Sequence, residues 1–141
     1  MRGQISVEYL VILGIVLVIM VPAAFLLFER ARQTSDQISS SQIIRIGNEV
    51  TNSIVSVYSL GKNSWTTLDV NFPDATKEFY VNADNEIVVE FDTNKGRSEA
   101  IFFSDVPLQT PFNGNVSRAF HSGRFKLKII SQGGSIFLEE T

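Results

Sequence analysis

The chain has 141 residues, of which 44% are hydrophobic, and its 12 basic and 15 acidic residues give a formal net charge of −3. This small negative charge gives no reason to expect a nucleic-acid partner, which favours a basic surface. The absence of cysteine excludes disulfides, thiolate metal sites and a cysteine nucleophile. The length suits one apolar segment and one modest domain.

An uncharged apolar run from Tyr9 to Phe28 dominates the first part of the sequence and reads YLVILGIVLVIMVPAAFLLF. As a helix rising about 1.5 Å per residue, it would be about 30 Å long, which is the thickness of a bilayer's hydrocarbon core. The run continues past Ala23 and Ala24 into more large apolar residues. This continuation argues against a secretory signal removed at that point. An uncleaved signal anchor is the plain interpretation of the run alone.

The residues at the start of this run carry a specific pattern. Arg2-Gly3 is followed by Q-x-S-x-E-Y-L, which begins at Gln4, and then directly by the apolar run. This combination resembles the class III signal peptide of archaeal prepilins, which are type IV pilin-like proteins. In that family a membrane peptidase cuts after the glycine and leaves the apolar segment on the mature protein. The resemblance therefore implies a leader of residues 1–3 and cleavage between Gly3 and Gln4.

The same resemblance implies roles in assembly for Gln4, Glu8 and Tyr9. Glu8 is the fifth residue of the predicted mature chain, where type IV pilins keep a glutamate. A buried carboxylate is costly unless it is paired, and a free α-amino group is mostly protonated near neutral pH. Glu8 of one subunit can therefore neutralise the Gln4 amine of the next. The alternative is that Glu8 interacts with the positive N-terminal end of its own helix.

The resemblance also implies a location and a set of partners. The precursor is expected in the membrane with a cytoplasmic N-terminus, and the mature chain in an extracellular filament on an archaeal cell surface. The basic residues do not support this orientation, because Arg2 precedes the apolar run whereas Arg30 and Arg32 follow it. The implied partners are copies of the chain itself, a prepilin peptidase with the pilus assembly machinery, and the membrane before assembly.

A helical pattern continues beyond the apolar run to about Leu60. Its apolar residues recur at spacings of three and four, which trace one face of a helix: Ile43, Ile46, Val50, Ile54 and Val57. We expect Ile44 and Val55 to widen this stripe. Gly47 lies on the same face, where its missing side chain allows another element to approach closely.

Two residues predict irregularities in this long helix, which is assigned to residues 4–61. Pro22 removes one backbone hydrogen bond and clashes with the preceding turn, so a kink or local unwinding is expected there. Gly61 follows the last apolar turn and is expected to end the helix.

From Trp65 onward, alternation of apolar and polar residues replaces the helical period. It predicts a hairpin turn at residues 92–96, an irregular loop at 107–115 and six or seven short strands, around residues 65–72, 79–81, 86–91, 100–103, 124–129 and 136–138, with 116–120 as the seventh. Residues 62–141 are therefore expected to form an antiparallel β-sandwich-like domain whose core the amphipathic half of the helix partly covers. The predicted fold class is α+β.

Some smaller features of the sequence are candidates for functional sites. Asn115-Val116-Ser117 is an N-glycosylation sequon if its loop is outside the cell. Asp92, Asn94 and Glu99 resemble part of a calcium loop, but the spacing departs from the full pattern and favours an ordinary turn. His121 is the single histidine and has no neighbours that indicate metal binding or catalysis, so it is assigned no role.

Three basic residues, Arg124, Lys126 and Lys128, alternate along one predicted strand. They are expected to lie on one face at spacings of about 7 Å. Glu86 and Glu90 are expected as their cross-strand partners, which predicts a solvated face rather than an anion site.

Two classes of function remain. The first is a structural subunit of a type IV pilus-like filament, a homopolymer of the kind that serves cell adhesion. The second is a single-pass, membrane-anchored surface binding protein, with a minor pilin between the two. The sequence contains no P-loop, nucleophile elbow or zinc motif. We therefore expect no enzymatic activity, no cofactor and no metal.

Overall fold

The computed structural model describes the backbone of residues 2–141 and the side chains of residues 6–141. One long helix, α1 (Arg2–Leu60), is followed by seven strands, which are β1 (Trp65–Phe72), β2 (Thr76–Asn82), β3 (Glu86–Thr93), β4 (Gly96–Phe103), β5 (Leu108–Gln109), β6 (Gly123–Ser131) and β7 (Ile136–Glu140). The predicted α+β fold is confirmed. By its internal contacts the chain divides into two compact units, of which the first ends at Asp36 and the second is Gln37–Thr141.

The second unit contains two sheets. One has the strand order β1-β6-β7-β5 and the other has the order β2-β3-β4. Neighbouring strands are antiparallel, except that β5 pairs parallel with β7. Apolar residues from the later part of α1 and from both sheets form a single buried cluster. The sheets and the helix therefore share one core, as expected for layers that each have one apolar face.

The predicted apolar stripe of α1 enters this core. Ile43, Val50 and Ile54 are fully buried, and Ile46 and Val57 are nearly so. The expectation that Ile44 and Val55 widen the stripe is wrong, because both remain roughly half exposed. Each follows a buried residue directly, and one step along a helix rotates a side chain by about 100°. A narrow stripe of the helix is therefore enough to cover the core.

Gly47 has the predicted role of allowing close approach. The aromatic ring of Phe102, a core-facing residue of β4, occupies the space where a Cβ atom of residue 47 would lie. The ring thus packs directly against the helix backbone. Any side chain at this position must displace it.

The end of α1 also follows the prediction. Gly61 has a φ of 94°, in the left-handed region that glycine adopts without strain. Its N–H donates a 3.1 Å hydrogen bond to the carbonyl oxygen of Tyr58. The helix therefore stops at Leu60, and the chain turns into β1.

The predicted strand at residues 116–120 is wrong. Asn113 and Gly114 have positive φ values of 51° and 104°, which turn the chain just before it. Val116 is buried, and its carbonyl oxygen accepts a 3.2 Å hydrogen bond from the N–H of Glu140. Phe120 packs edge-on against Phe72 with a centroid distance of 5.3 Å. The apolar residues of this segment thus cover the core without joining a sheet.

The predicted irregular loop at residues 107–115 contains a strand that the sequence pattern missed. Leu108 and Gln109 form β5 and pair with Ile136 and Phe137 of β7. Two residues are too few to show alternation. The prolines nearby also favour the interpretation as a loop.

Replacing Gly47 with leucine is expected to destabilise the second unit, because the new side chain overpacks the site occupied by Phe102 at a cost of about 1–3 kcal/mol. Leucine favours helix over glycine by up to about 1 kcal/mol, which offsets only part of this cost. Urea unfolding of a chain beginning at Thr34, followed by circular dichroism, measures the difference. This start lies close before the second unit, so folding of the unsubstituted fragment also tests the division of the chain.

The matched control is a double-mutant cycle with Phe102→Ala. If the ring is the obstacle, Gly47→Leu costs much less in the Phe102→Ala background than in the native one. Equal costs in both backgrounds would show that the cause lies elsewhere.

Candidate functional site

The apolar part of α1 presents its side chains on all sides. From Val7 to Phe28 the large hydrophobic side chains are 42–73% exposed. Leaving one such side chain in water forgoes about 1.5–3 kcal/mol relative to burial, so the whole run forgoes tens of kcal/mol. In the part of the chain that the structure describes, α1 is the one helix that is long and apolar enough to cross a membrane. The segment therefore requires lipid or other helices around it.

Glu8 lies at the beginning of this apolar surface. Its side chain is exposed, and it makes no ion pair with any of the described residues. The next basic residue along the helix is Arg30, which the helical rise places about 33 Å away. The following part of α1 therefore cannot supply a counter-charge. Any partner must come from the N-terminal end or from another molecule.

The predicted cleavage site, Gly3 and Gln4, falls where the backbone of α1 is described, but the Gln4 side chain lies outside the described residues. Tyr9 follows Glu8 and is 65% exposed. The assembly roles of Gln4, Glu8 and Tyr9 stay predictions, since each concerns a contact between chains.

Pro22 lies within α1, and the helix is continuous through it. A proline has no N–H, so the carbonyl of Val18, four residues earlier, lacks its usual helical donor. The predicted kink at Pro22 stays a prediction.

The sequon residue Asn115 lies in an exposed turn. Its backbone forms isolated bridges with Tyr80 and Phe112, and its N–H donates a 3.2 Å hydrogen bond to the carbonyl of Phe112. The side chain is exposed, and Ser117 is half-buried. Glycosylation of Asn115 stays a prediction, with the acceptor side chain accessible.

The expected partners of the basic strand were wrong. Arg124 pairs with Asp69 at 3.7 Å, and Lys128 pairs with Glu139 at 3.6 Å. Glu86 and Glu90 lie in the other sheet, because β6 is bordered by β1 and β7 and never meets β3. Alternation predicted the face of these residues correctly, but it contains no information about which strands are neighbours.

The turn that resembled a calcium loop is a hairpin between β3 and β4, as predicted. Asp92 is engaged by two cations, Lys77 at 3.3 Å and Arg97 at 3.8 Å. Among the described residues there is no group of three or more His, Asp or Glu side chains placed to hold a metal ion.

His121, which was assigned no role, connects two distant segments. Its Nε2 lies 2.9 Å from Oε1 of Glu140. Hydrogen bonds to the Ser122 carbonyl and to Glu140 raise the pKa of His121 above its usual value. The two residues are separated by 19 positions, so no local pattern could have revealed the pair.

Comparison with known proteins identifies one region of the chain. Residues 2–26 match the family model of the Class III signal peptide, a range that includes the predicted cleavage site and the Q-x-S-x-E-Y-L residues. No curated protein and no solved structure matches the chain. The signal peptide and the apolar helix together support a type IV pilin-like protein. They imply processing by a prepilin peptidase, insertion into the membrane and pilus assembly.

Proposed function

We propose that this protein is a structural subunit of an archaeal type IV pilus-like extracellular filament. After cleavage between Gly3 and Gln4, the N-terminal helices bundle in the filament core and the β domains form its outer surface. The observation that carries the proposal is a class III signal peptide joined to a helix that is apolar and exposed on every side.

The apolar surface explains how one segment serves two environments. In the precursor, lipid surrounds the side chains between Val7 and Phe28; in the filament, helices of other copies surround them. Both environments exclude water, so transfer between them loses little hydrophobic free energy. The helix satisfies its own backbone hydrogen bonds in either setting.

Cleavage supplies a positive charge that can pair with the Glu8 carboxylate. Hydrolysis of the Gly3–Gln4 bond creates an α-amino group at Gln4, which is mostly protonated near neutral pH. Glu8 lies four positions after Gln4 in each chain. In the bundle, the Glu8 carboxylate of one subunit pairs with the Gln4 amine of a neighbour. Removal of the leader thereby controls assembly, because an uncleaved chain has no amine at this position.

As a filament subunit, the protein acts without enzymatic activity and without a cofactor. Its work depends on packing between helices and on one ion pair between neighbouring subunits. The peptidase and the assembly machinery supply the chemistry of processing and export.

Mass spectrometry of filaments sheared from cells, compared with the membrane fraction of the same cells, tests the proposal. We expect this chain to be abundant in the filaments, with its first peptide beginning at Gln4. A chain that begins at Met1 and stays in the membrane would instead identify an anchored surface binding protein. Trace amounts in filaments made mainly of another protein would identify a minor pilin.

A further inference from the structure

The two sheets of the β domain each turn one face away from the core. Along every strand, alternate residues point to opposite faces, so the outward residues follow from the buried ones. The outward surface of β2, β3 and β4 is here named the acidic face. The outward surface of β1, β6 and β7 is named the basic face.

The acidic face carries five carboxylates and two cations: Glu78, Glu86, Glu90, Asp92 and Glu99, with Lys77 and Arg97. The strand register places Glu78 opposite Glu90, and Glu90 opposite Glu99. Like charges directly opposite each other on neighbouring strands are destabilising. This row of three glutamates is therefore a cost to the isolated domain.

The cations on this face neutralise only the central glutamate of the row. Arg97 lies 3.5 Å from Glu90, and Lys77 pairs with Asp92. Neither Glu78 nor Glu99 forms an ion pair with any described residue. Burial raises the pKa of Tyr80, beside the row, and so do the three glutamate charges.

An apolar patch lies next to the glutamate row. Val88 points outward yet is only 2% exposed, since it lies between Tyr80 and Ile101 in the register. Ile101 is itself 47% exposed, and Phe103 is 66% exposed. The acidic face thus combines unpaired carboxylates with apolar side chains that are open to solvent.

The basic face has the opposite balance. It carries three cations of β6, Arg124, Lys126 and Lys128, and two carboxylates. Asp69 pairs with Arg124, and Glu139 pairs with Lys128. Lys126 forms no ion pair in the part of the chain that is described. A positive charge is therefore left over at the centre of this face.

This face also has an apolar patch. Trp65 is 63% exposed and lies opposite Ile130, which in turn lies opposite Phe137. Lys128 lies over the Trp65 ring, with its Nζ 5.7 Å from the centroid. Basic and apolar groups are therefore adjacent here, as acidic and apolar groups are on the acidic face.

We propose that the basic face of one subunit docks on the acidic face of a second copy of this chain. The surplus cation at Lys126 then approaches the glutamate row, and the two apolar patches lose contact with water. This inference rests on the proposed function in one respect, since the docking is placed within the filament. It adds the two surfaces that join the β domains.

A second copy fits the acidic face because the same chain carries the complementary surface. Opposite potentials determine which surfaces meet and in what register more than how tightly they bind. Docking between two different faces leaves one free face of each kind at the ends of the assembly. Unless such a contact closes into a ring, it adds subunits without limit. A filament needs this open geometry.

The absence of cysteine allows a direct test in the full-length chain. A variant with Thr67→Cys on the basic face and Asn82→Cys on the acidic face, which keeps every carboxylate of the glutamate row, is treated, in intact filaments and in membranes, with a bifunctional maleimide. Its spacer spans about 10 Å, the separation of sheets packed face to face. We expect a ladder of covalently linked chains from the double variant and only monomers from either single variant. Cells that produce both single variants together are expected to give dimers and nothing longer.

The matched control replaces Asn82→Cys with Asp74→Cys, which lies in an exposed turn outside both faces, and should give no ladder. Dimers from either single variant alone would overturn the proposal, because they require a face that docks on itself. Filaments of the double variant that stay monomeric would overturn the docking and leave the proposed function standing. A ladder in membranes without any filaments would uphold the docking and contradict the proposed function.

Discussion

Replacing Gly3 with valine is expected to abolish processing, so that nearly all of the chain keeps its leader and stays in the membrane. Glycine has no side chain, and the backbone beside it can therefore lie extended and close to a protease. Valine is branched at Cβ and crowds the bond that must be cut. Immunoblots of the membrane fraction and mass spectrometry of the N-terminal peptide measure the result.

The matched control is the same substitution at Gly14, within the apolar run. A Cβ at position 14 would meet nothing within 4 Å in the single chain, and the residue is remote from the predicted cut. The Gly14→Val chain should be cleaved normally. If the Gly3→Val chain still begins at Gln4 in normal amounts, the cleavage site has been assigned to the wrong bond.

Failure of processing should also prevent assembly. The Gly3→Val chain keeps the whole apolar segment, so its insertion into lipid is expected to be unchanged. It lacks the free Gln4 amine, and Glu8 consequently has no partner in a bundle. Absent filaments together with normal membrane levels would connect cleavage to assembly, and a soluble or degraded chain would not.

Local periodicity was enough to predict α1 and most of the strands. The spacing of the apolar residues identified the side of the helix that enters the core, and glycine at position 61 identified its end. Both signals arise within a few residues of each other in the chain. They need no knowledge of the rest of the fold.

Features that depend on distant pairing could not be predicted in this way. Alternation showed that Arg124, Lys126 and Lys128 share a face, but their partners depend on the strand order. The predicted hairpin turn between β3 and β4 was enough to predict that Glu90 pairs with Glu99. No local signal predicts that β6 pairs with β1. Val116 and Phe120 were assigned to a strand because apolar residues that cover a core resemble those that form a sheet.

The functional features fall into the same two groups, those encoded locally and those that depend on distant pairing. Gly3, Gln4 and Glu8 lie in one short motif, and the matched signal peptide includes all three. The two docking faces have no such motif, since each is assembled from three strands. The acidic face, for example, can be recognised only from the strand register, which places three glutamates side by side.

Replacing Glu8 with glutamine is expected to leave cleavage and membrane insertion normal while filaments are almost completely lost. Glutamine keeps the size of the side chain and its capacity for hydrogen bonds, but removes the charge. The Gln4 amine of the neighbouring subunit then lies uncompensated among apolar helices. Electron microscopy of the cells, with immunoblots of the membrane fraction, measures filaments and precursor separately.

The free-energy cost of the substitution distinguishes the two roles considered for Glu8. Removing one partner of a buried ion pair costs about 3–5 kcal/mol, and this cost recurs with every subunit added. A carboxylate that interacts only with the N-terminal end of its own helix contributes about 0.3–1 kcal/mol when exposed. The first role predicts a loss of filaments, and the second predicts an almost neutral substitution.

Glu29→Gln provides the matched control, because it removes the same charge from the same helix just beyond the apolar run. Water reaches that position more readily, so filaments should form in nearly normal numbers. Glu8→Asp keeps the charge on a shorter side chain and should give an intermediate result. Wild-type numbers of filaments built from the Glu8→Gln chain would exclude Glu8 from the assembly mechanism, since no buried amine can lose its counter-charge without a cost of this size.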